Sequence, residues 1–326
     1  MRLRLGFLAV LGGWLLGGAG VAFGQELGSG KGVDHVAVLV RPADFSGARA
    51  VFSQQLGFAV TPSLLSPVGA RNSLIWFSDL SYLEVLTFVD DNPFTAPFLE
   101  FLEHHQGGKF YGNDVVDFTQ ALAFLNGAGY PAVGPLPAGP LTIEETGQVL
   151  GLVPLWYSIV LTSRLGPDNS IFFLDYDEAQ VQAMFAGFPA LAPRPHPNTA
   201  RKIDALFLVV ADLAAARDFY QGLGLEVRPL PGRLRTLGAR GAEVRYRNNR
   251  VLLLVPDGPG PVAAFAADRG EGILGVSLEV GSLGRARRFI EEHSGRDLRV
   301  FHERGRERFF LPTDLTHDFL IEMVER

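Results

Sequence analysis

The segment Gly32-Val33-Asp34-His35-Val36-Ala37-Val38-Leu39-Val40 decides the fold, because a weaker copy, Lys202-Ile203-Asp204-Ala205-Leu206-Phe207-Leu208-Val209-Val210, begins 170 residues later. Both copies are apolar and rich in β-branched residues, a pattern that predicts a buried strand. An amphipathic helix is predicted after each strand, over about residues 45–56 and 213–223, and a second strand then ends in Val-x-Pro. Because an internal repeat reveals architecture before any site is considered, we expect repeated strand-helix-strand units.

The pattern continues in both halves of the chain. After Val60-Thr61-Pro62 a hairpin is predicted at 74–77 and 82–86, and after Val227-Arg228-Pro229 a matching one at 243–246 and 251–254, so each unit is βαβββ. A second unit follows in each half. In the first half its predicted elements are a weak strand near 110–111, a helix at 117–126 and strands at 157–161 and 171–176. In the second half they are a strand at 273–280, a helix at 283–293 and strands at 298–301, 308–311 and 318–324. The proline-rich stretch 188–198 predicts an extended linker between the halves.

The composition is that of a globular protein. With 326 residues, 47% of them hydrophobic and 20% charged, the chain is long enough for two domains that each bury a core. The formal charge of −6 is spread without long runs of one sign, so a nucleic-acid partner is not expected. The sequence has no phosphate-binding loop, Gly-x-Ser-x-Gly motif or His-Glu-x-x-His motif, and no nucleotide cofactor is expected.

Residues 1–24 are typical of a signal peptide and are set aside from the fold. Two arginines precede an apolar stretch over 5–21, and Ala22-Phe23-Gly24 has the small-x-small form of a cleavage site. We expect an exported chain, periplasmic or extracellular, that starts at Gln25 and is not held at the membrane after cleavage. An uncleaved segment would instead act as a membrane anchor, because its length approaches the roughly 20 residues that span a bilayer.

The sequence contains no cysteine. Export therefore brings no disulfide framework, and a cysteine-linked lipid anchor and thiolate metal sites are excluded. Any metal must be held by histidine and carboxylate side chains, which suit Zn, Fe, Mn, Co or Ni.

Three short motifs fall in register over the first unit: Val33-Asp34-His35-Val36, Leu56-Gly57-Phe58 and Tyr82-Leu83-Glu84. With these motifs and four βαβββ modules, the chain resembles the vicinal oxygen chelate superfamily, the fold of glyoxalases, bleomycin-resistance proteins and extradiol dioxygenases, and within it the bacterial glyoxalase-like domain proteins. The resemblance covers about residues 32–325. It implies an α+β fold in which paired modules form two glyoxalase-like domains, with mixed curved sheets shaped as cups and helices outside. The implied division is an N-terminal domain over 32–187, a linker over 188–199 and a C-terminal domain over 200–326.

The resemblance also implies a divalent metal at the base of a cup, held by residues from first and last strands and chelating a small oxygen-rich ligand. His35 and Glu84 occupy two of these positions, and side-chain alternation along a strand lets His35 face the cup. The second module has no histidine or glutamine in register near Gly107-Gly108-Lys109-Phe110. Asp175, in the last strand of that module, is therefore the best third ligand.

Each candidate also has an ordinary structural interpretation. A lone histidine on a strand is often satisfied by a backbone carbonyl, and Glu84 could pair with an arginine such as Arg71. Asp175 stands at a strand end, where aspartates commonly cap turns. His104 and His105 could reach the site from the preceding turn or form a solvated helix end.

The second half has lost most of the donors. Its residues at the corresponding positions are Ala205 for His35, Leu252 or Leu253 for Glu84, and Gly275 in the fourth module. Glu322 remains, and we expect it to be a buried acid within a hydrogen-bond network. We therefore predict that ligand chemistry belongs to residues 32–176 and that the C-terminal cup is apolar and binds no metal.

Two functions of different class fit these features. The first is an exported enzyme, a divalent-metal lyase, isomerase or dioxygenase acting on a small oxygen-rich substrate in the N-terminal cup. The second is a non-catalytic protein that binds or sequesters a small molecule in the same cup without metal, and a purely structural paired-module protein is a third possibility. The incomplete ligand set favours binding, whereas the retention of both His35 and Glu84 favours a metal.

Overall fold

The structure, a computed structural model, describes residue 27, residues 30–162 and residues 171–326. The predicted signal peptide lies outside the described residues. Within that described part, no helix is long and apolar enough to cross a membrane.

The first half of the chain forms the larger set of elements. Its strands are β1 (Val33–Leu39), β2 (Leu64–Leu65), β3 (Ala70–Trp76), β4 (Tyr82–Phe88), β5 (Gly107–Asp114), β6 (Ala132–Pro137), β7 (Leu141–Ile143), β8 (Val149–Leu150), β9 (Trp156–Leu161) and β10 (Ile171–Tyr176). Its helices are α1 (Phe45–Ala50), which continues as a π-helical turn over Val51–Gln55, then α2 (Ala96–His104), α3 (Phe118–Gly127) and α4 (Glu178–Gly187). A short 3-10 turn at Pro189–Leu191 follows α4.

The second half repeats the plan with shorter connections. Its strands are β11 (Ala200–Val209), β12 (Glu226–Pro229), β13 (Ala239–Arg245), β14 (Arg250–Pro256), β15 (Gly272–Val280), β16 (Phe301–Glu303), β17 (Arg306–Phe310) and β18 (Leu320–Glu325). Its helices are α5 (Leu213–Gly222), α6 (Pro261–Arg269) and α7 (Leu283–Ser294).

Each half folds into one sheet built from two βαβββ modules. The strand order is β6-β9-β10-β5-β1-β4-β3-β2-β7-β8 in the first sheet and β12-β13-β14-β11-β15-β18-β17-β16 in the second. In every module the first strand pairs in parallel with the last. The two modules of a sheet join through antiparallel pairing of their first strands, β1 with β5 and β11 with β15. The predicted α+β architecture of four paired modules is confirmed.

One face of each sheet lies in a common core. Val36 of β1 and Leu206 of β11 belong to the same buried cluster as the inner sides of α1, α3, α5 and α7. Inside this core the hydroxyls of Tyr111 and Tyr220 lie 2.6 Å apart, which joins β5 to α5 of the other half. Because hydrogen-bonded polar groups can be buried at little cost, this contact fits the apolar surroundings. The two halves therefore share their main core.

Asn249, in the turn between β13 and β14, holds the start of β1. The Val33 N–H donates to Asn249 Oδ1 at 2.9 Å, and Asn249 Nδ2 donates to the Val33 carbonyl at 2.7 Å. Both backbone groups of Val33 are thus satisfied by one side chain of the second half. The first strand of the first sheet is positioned by the second sheet.

The other face of each sheet forms what we call a cup. The N-terminal cup is the face of the first sheet that carries His35, Glu84 and Phe172. The C-terminal cup is the face of the second sheet that carries Ala205 and Leu252. Along each strand, side chains that face the cup alternate with side chains that face the common core, as the pleat of a β-sheet requires.

Helices that the sequence analysis did not predict cover parts of both cups. In the N-terminal cup, α2 packs Leu102 against Leu39 and Phe88, while α4 brings Phe185 to 5.7 Å from the ring of Trp76. In the C-terminal cup, α6 packs in the position that corresponds to α2. The cups are therefore partly closed, and helices lie on both faces of each sheet.

The segment predicted as an extended linker makes specific contacts with the first module. The Ala59 N–H donates to His196 Nδ1 at 2.8 Å. The His196 ring packs edge-on against Phe58 and Phe77, at 5.7 and 5.3 Å between centroids. Burial lowers the pKa of His196 from 6.5 to about 4. His196, which had no predicted role, therefore holds the linker on the first module as a neutral ring.

Candidate functional site

His35 lies at the centre of the N-terminal cup. Its strand pairs on one side with Tyr82 and on the other with Gly112. The imidazole is only 4% exposed and stacks on the Tyr82 ring at 4.5 Å, with Phe172 edge-on at 5.4 Å. A Cβ at Gly112 would lie 2.5 Å from Cε1 of His35, so glycine at this position leaves room for the ring.

Asp34 fixes the orientation of His35. The pairing of β1 with β5 shifts register between Val33 and His35, and this irregularity lets two neighbouring side chains reach each other. The Nδ1–H of His35 donates to Asp34 Oδ1 at 2.9 Å, and Tyr176 donates its hydroxyl to the same oxygen at 3.0 Å. A carboxylate on Nδ1 selects one tautomer, so the neutral ring presents Nε2 as a bare acceptor.

Two tyrosines close the network behind Asp34. The hydroxyls of Tyr82 and Tyr176 lie 3.1 Å apart. Burial raises the pKa of both phenols well above the usual value, and the Asp34 carboxylate raises it further. Both phenols therefore stay protonated at any physiological pH and act as hydrogen-bond donors.

Glu84 faces the open nitrogen of His35. Its Oε2 lies 4.0 Å from His35 Nε2, and its Oε1 accepts a hydrogen bond from Asn72 Nδ2 at 2.6 Å. Burial raises the pKa of Glu84, while His35 and Asn72 partly counteract the rise. The predicted alternative partner, Arg71, instead binds Glu144 at 2.8 Å. His35 and Glu84 are therefore brought together as the sequence predicted.

Asp175 is not brought to this pair. Along β10, Phe172 and Tyr176 contact His35 and Asp34, whereas Phe173 belongs to the common core. Because side chains alternate, Asp175 points to the core side of the sheet, away from the cup. Burial raises its pKa, and the charges of Asp117 and Glu178, at the starts of α3 and α4, raise it further.

The other predicted donors are also elsewhere. His104 ends α2, and His105 lies 3.8 Å from Asp268, an acid of the second half. Phe110, Gly112, Phe172 and Leu174 of the second module face the cup without a donor atom in their side chains, and the hydroxyl of Tyr176 on the same face is already bound to Asp34. Across residues 30–162 and 171–326, no group of three or more His, Cys, Asp or Glu is arranged to hold a metal. The residues present supply two donors and do not fit the larger ligand set that the resemblance implies.

The C-terminal cup differs from its prediction. Its floor is apolar, as expected, but Arg250, Arg304, Arg306 and Arg308 line a pocket above that floor. The prediction that ligand chemistry is confined to residues 32–176 therefore overlooked a charged pocket in the second half. Arg306 and Arg308 stand two positions apart in the sequence and both lie on β17, and this period of two was the signal that could have placed them on one strand face.

Glu322 is a buried acid in a hydrogen-bond network, as predicted. Its Oε1 accepts from Arg308 at 2.9 Å, and its Oε2 accepts from Ser277 at 2.6 Å. Burial raises its pKa, while Arg308 and Ser277 lower it. The strand register places Ser277, rather than Gly275, opposite Ala205. A serine therefore stands where Gly112 faces His35 in the first sheet.

Paired βαβββ modules, two curved sheets and a cup on each sheet together define the fold of the vicinal oxygen chelate superfamily. The model of a family described as glyoxalase-like domain matches residues 33–224, more than half of the chain, and the protein belongs to that family. The match runs past the linker into the first elements of the second sheet. No match was found among curated protein sequences.

Solved structures share this fold at low sequence identity. A variant of 4-hydroxymandelate synthase from Streptomyces coelicolor is 14% identical, with a TM-score of 0.58 over 91% of this chain and 93% of that chain. A hypothetical protein from Staphylococcus aureus is 10% identical, with a TM-score of 0.54 over 90% of this chain and 98% of that chain. A fusion of a xylose isomerase-like TIM barrel with 4-hydroxyphenylpyruvate dioxygenase is 14% identical, with a TM-score of 0.58 over 92% of this chain and 49% of that chain. At such identity these similarities establish the fold alone.

Proposed function

We propose that the N-terminal cup binds a small molecule with a carbonyl group and that His35 and Glu84 transfer a proton between its oxygen and the neighbouring carbon. The protein would then be an isomerase or lyase that works by acid-base chemistry. The observation that carries this proposal is the 4.0 Å separation of His35 Nε2 and Glu84 Oε2, each held from behind by another side chain.

The separation suits an inserted ligand. Two polar atoms 4.0 Å apart can both lie about 2.8 Å from one small group placed above them, within normal hydrogen-bond range. Asp34 holds the far nitrogen of His35, and Asn72 holds the far oxygen of Glu84. Neither group needs to reorganise when a ligand enters, and such preorganisation favours proton transfer.

The environment divides the roles between the two residues. His35 Nε2, bare in the neutral ring, takes the proton from carbon, and Asp34 stabilises the imidazolium that forms. Burial raises the pKa of Glu84, and this shift favours the protonated form of the carboxyl, which is the form that donates to the ligand oxygen. The intermediate is an enol. In an exchange, the imidazolium of His35 returns a proton to the same carbon and Glu84 takes its proton back from the enol oxygen. In an isomerisation of an α-hydroxy carbonyl ligand, the imidazolium protonates the other carbon of the enediol and Glu84 takes its proton from the hydroxyl on the first carbon. All groups end in their starting protonation states.

A metal-dependent version of this function has weaker support. A bound divalent ion would polarise the ligand oxygen, and His35 and Glu84 are the residues that would hold it. The second module adds no donor to them, whereas a catalytic zinc site uses three protein ligands. The acid-base mechanism requires only the side chains that are present, His35 and Glu84.

Non-catalytic binding is the second candidate, and the low exposure of His35 favours it. The cup is narrowed by α2 and α4, and its lining includes Phe110, Phe172 and Trp76. Such a surface can hold a small apolar ligand without chemistry. The two candidates differ in whether bound ligand exchanges its carbon-bound hydrogen.

Deuterium exchange tests the proposal. Pyruvate, hydroxyacetone and dihydroxyacetone are incubated with the protein in D2O, and loss of the C–H signal is followed by proton NMR. The rate should rise above that of buffer for at least one compound, and His35→Gln should lower the increment by about 100-fold. His302→Gln, which changes an exposed histidine of the second half, is the matched control. Exchange that survives His35→Gln would contradict the mechanism, and binding without exchange would favour sequestration.

Export is also proposed, from the form of residues 1–24 alone. Expression of the full chain in a Gram-negative host, followed by mass measurement of the periplasmic fraction, checks it. A mass that starts at Gln25 is the expected result. Full-length protein in the membrane fraction would instead support an uncleaved anchor.

A further inference from the structure

The C-terminal cup contains a pocket of about 130 Å³. A cavity of roughly 150 Å³ is large enough to admit benzene, so this one has room for a small organic molecule. Its floor is apolar and includes Ala205, Phe207 and Leu252. Because Ala205 is smaller than His35 at the matching position, the floor is deeper here than in the N-terminal cup.

The wall of the pocket carries an excess of positive charge. Four arginines and two glutamates line it, and both glutamates are already occupied. Glu322 accepts from Arg308 and Ser277, and Glu303 accepts from the hydroxyl of Thr236 at 2.8 Å. Among the described residues, neither acid forms a direct ion pair with Arg304 or Arg306.

The arginines differ in their partners. Arg250 is paired with Asp204 at 2.7 Å and Glu243 at 3.3 Å. Arg304 donates to two backbone carbonyls of the loop at 231–232 and has no acidic partner within 4.0 Å among the described residues. Arg306 has neither an ionic nor a hydrogen-bond partner for its guanidinium in the described part of the chain. Among the described residues, the guanidinium groups of Arg304 and Arg306 therefore have no carboxylate in direct contact.

Buried donors in the same wall are also unused. The Nε atoms of Arg250 and Arg308 are buried and have no hydrogen-bond partner among the described residues. An unsatisfied buried donor is costly, and a ligand acceptor would remove that cost. Burial lowers the pKa of Arg304, Glu303 and Glu243 act against this shift, and the neighbouring Arg250 and Arg308 add to it. The guanidinium nevertheless stays charged at neutral pH, so an anion would relieve the repulsion.

From the pocket, its apolar floor, the two arginines without a direct ion pair and the two unused buried Nε atoms, we infer that the C-terminal cup binds a small organic anion, with a carboxylate or phosphate on the arginine wall and an apolar body on the floor. Planar guanidinium groups recognise both kinds of anion through paired hydrogen bonds. The site is separate from the His35–Glu84 pair, so it stands whether or not the N-terminal cup is catalytic.

Three probes with the same phenyl ring test this site. Benzoate, phenyl phosphate and benzyl alcohol are titrated into the protein by calorimetry and by ligand-observed NMR. Both anions should bind, and the neutral alcohol should bind at least ten-fold more weakly. The ratio of the two anion affinities distinguishes a carboxylate site from a phosphate site.

Variants at Arg306 connect binding to the pocket. Arg306→Gln should weaken anion binding about ten-fold, as expected for loss of one charge-assisted contact, and Arg306→Lys should keep part of it. The matched control is Arg285→Gln, which removes the same charge from the exposed side of α7. Because Arg306 has no partner, its loss should leave the melting temperature unchanged. The inference is overturned if neither anion binds, if benzyl alcohol binds equally well, or if Arg306→Gln and Arg285→Gln have the same effect.

Discussion

The two cups have the same strand topology and opposite chemistry. In the first sheet, His35 pairs with Tyr82, and Glu84 lies two residues further along the same strand. In the second sheet, Ala205 pairs with Arg250, and Leu252 takes the place of Glu84. The backbone therefore offers the same positions twice, and the side chains placed there make the first cup a histidine-glutamate site and the second an apolar floor below arginines.

Removal of Glu322 should produce the largest effect. Glu322→Ala leaves Arg308 buried without its carboxylate, and breaking a buried pair costs roughly 3–5 kcal/mol. Chemical denaturation should show that loss, with Glu307→Ala, an exposed acid of the same hairpin, as the control. A loss no larger than that of the control would mean that the C-terminal wall does not depend on this ion pair.

The pH dependence of stability should report the burial of His196. Burial lowers the pKa of His196 from 6.5 to about 4, so the folded state resists a proton that the unfolded state accepts. Stability is complete above about pH 6.5 and falls as the pH drops towards 4, by about 3 kcal/mol at most. Denaturation at pH 7 and pH 4.5 should show a smaller difference for His196→Gln than for the unchanged protein. An identical pH dependence would show that the linker histidine is not kept neutral.

Gly112→Ala tests the close packing of the N-terminal cup. The new methyl group would collide with His35 and Leu174, and overpacking of this kind costs about 1–3 kcal/mol. Thermal denaturation measures the loss. Gly127→Ala, at a glycine of α3 with open space around it, should be neutral or slightly stabilising. Equal effects at both positions would indicate that His35 has room to move.

Metal content provides the smallest expected effect. With two donors in the N-terminal cup and none at Ala205 and Leu252, elemental analysis of protein purified without a His tag should find less than one transition metal per chain. Added zinc should leave the melting temperature unchanged. A stoichiometric metal that disappears in His35→Ala would show that a further donor joins His35 and Glu84. That result would support the metal-dependent enzyme.

The fold could be predicted because the repeat imposes it. Strand and helix periodicity located all four modules, and β10 begins and ends where the sequence predicted. The helices α2, α4 and α6 were not predicted as elements, because they lie in connections between modules that the sequence repeat does not cover. The strand predicted at 298–301 is instead β16 at Phe301–Glu303, since pairing with β17 sets its position.

The candidate site could be predicted in part. His35 and Glu84 carry a recognisable motif, and the structure brings them together. Asp175 was chosen for its residue type, although Phe173, two positions earlier, belongs to the core face of the same strand. Asn72 and Tyr176 could not be found, because their roles depend on cross-strand neighbours that a single sequence does not reveal.

The contact between Asn249 and Val33 makes the first sheet depend on the second half of the chain. The second half has Ala205 and Leu252 in place of His35 and Glu84, yet it anchors the strand that carries His35. Deleting that half would remove the anchor along with the shared core, even if its pocket bound nothing. The cup side chains of the second half can therefore change without loss of this support, whereas the second half as a whole cannot be removed.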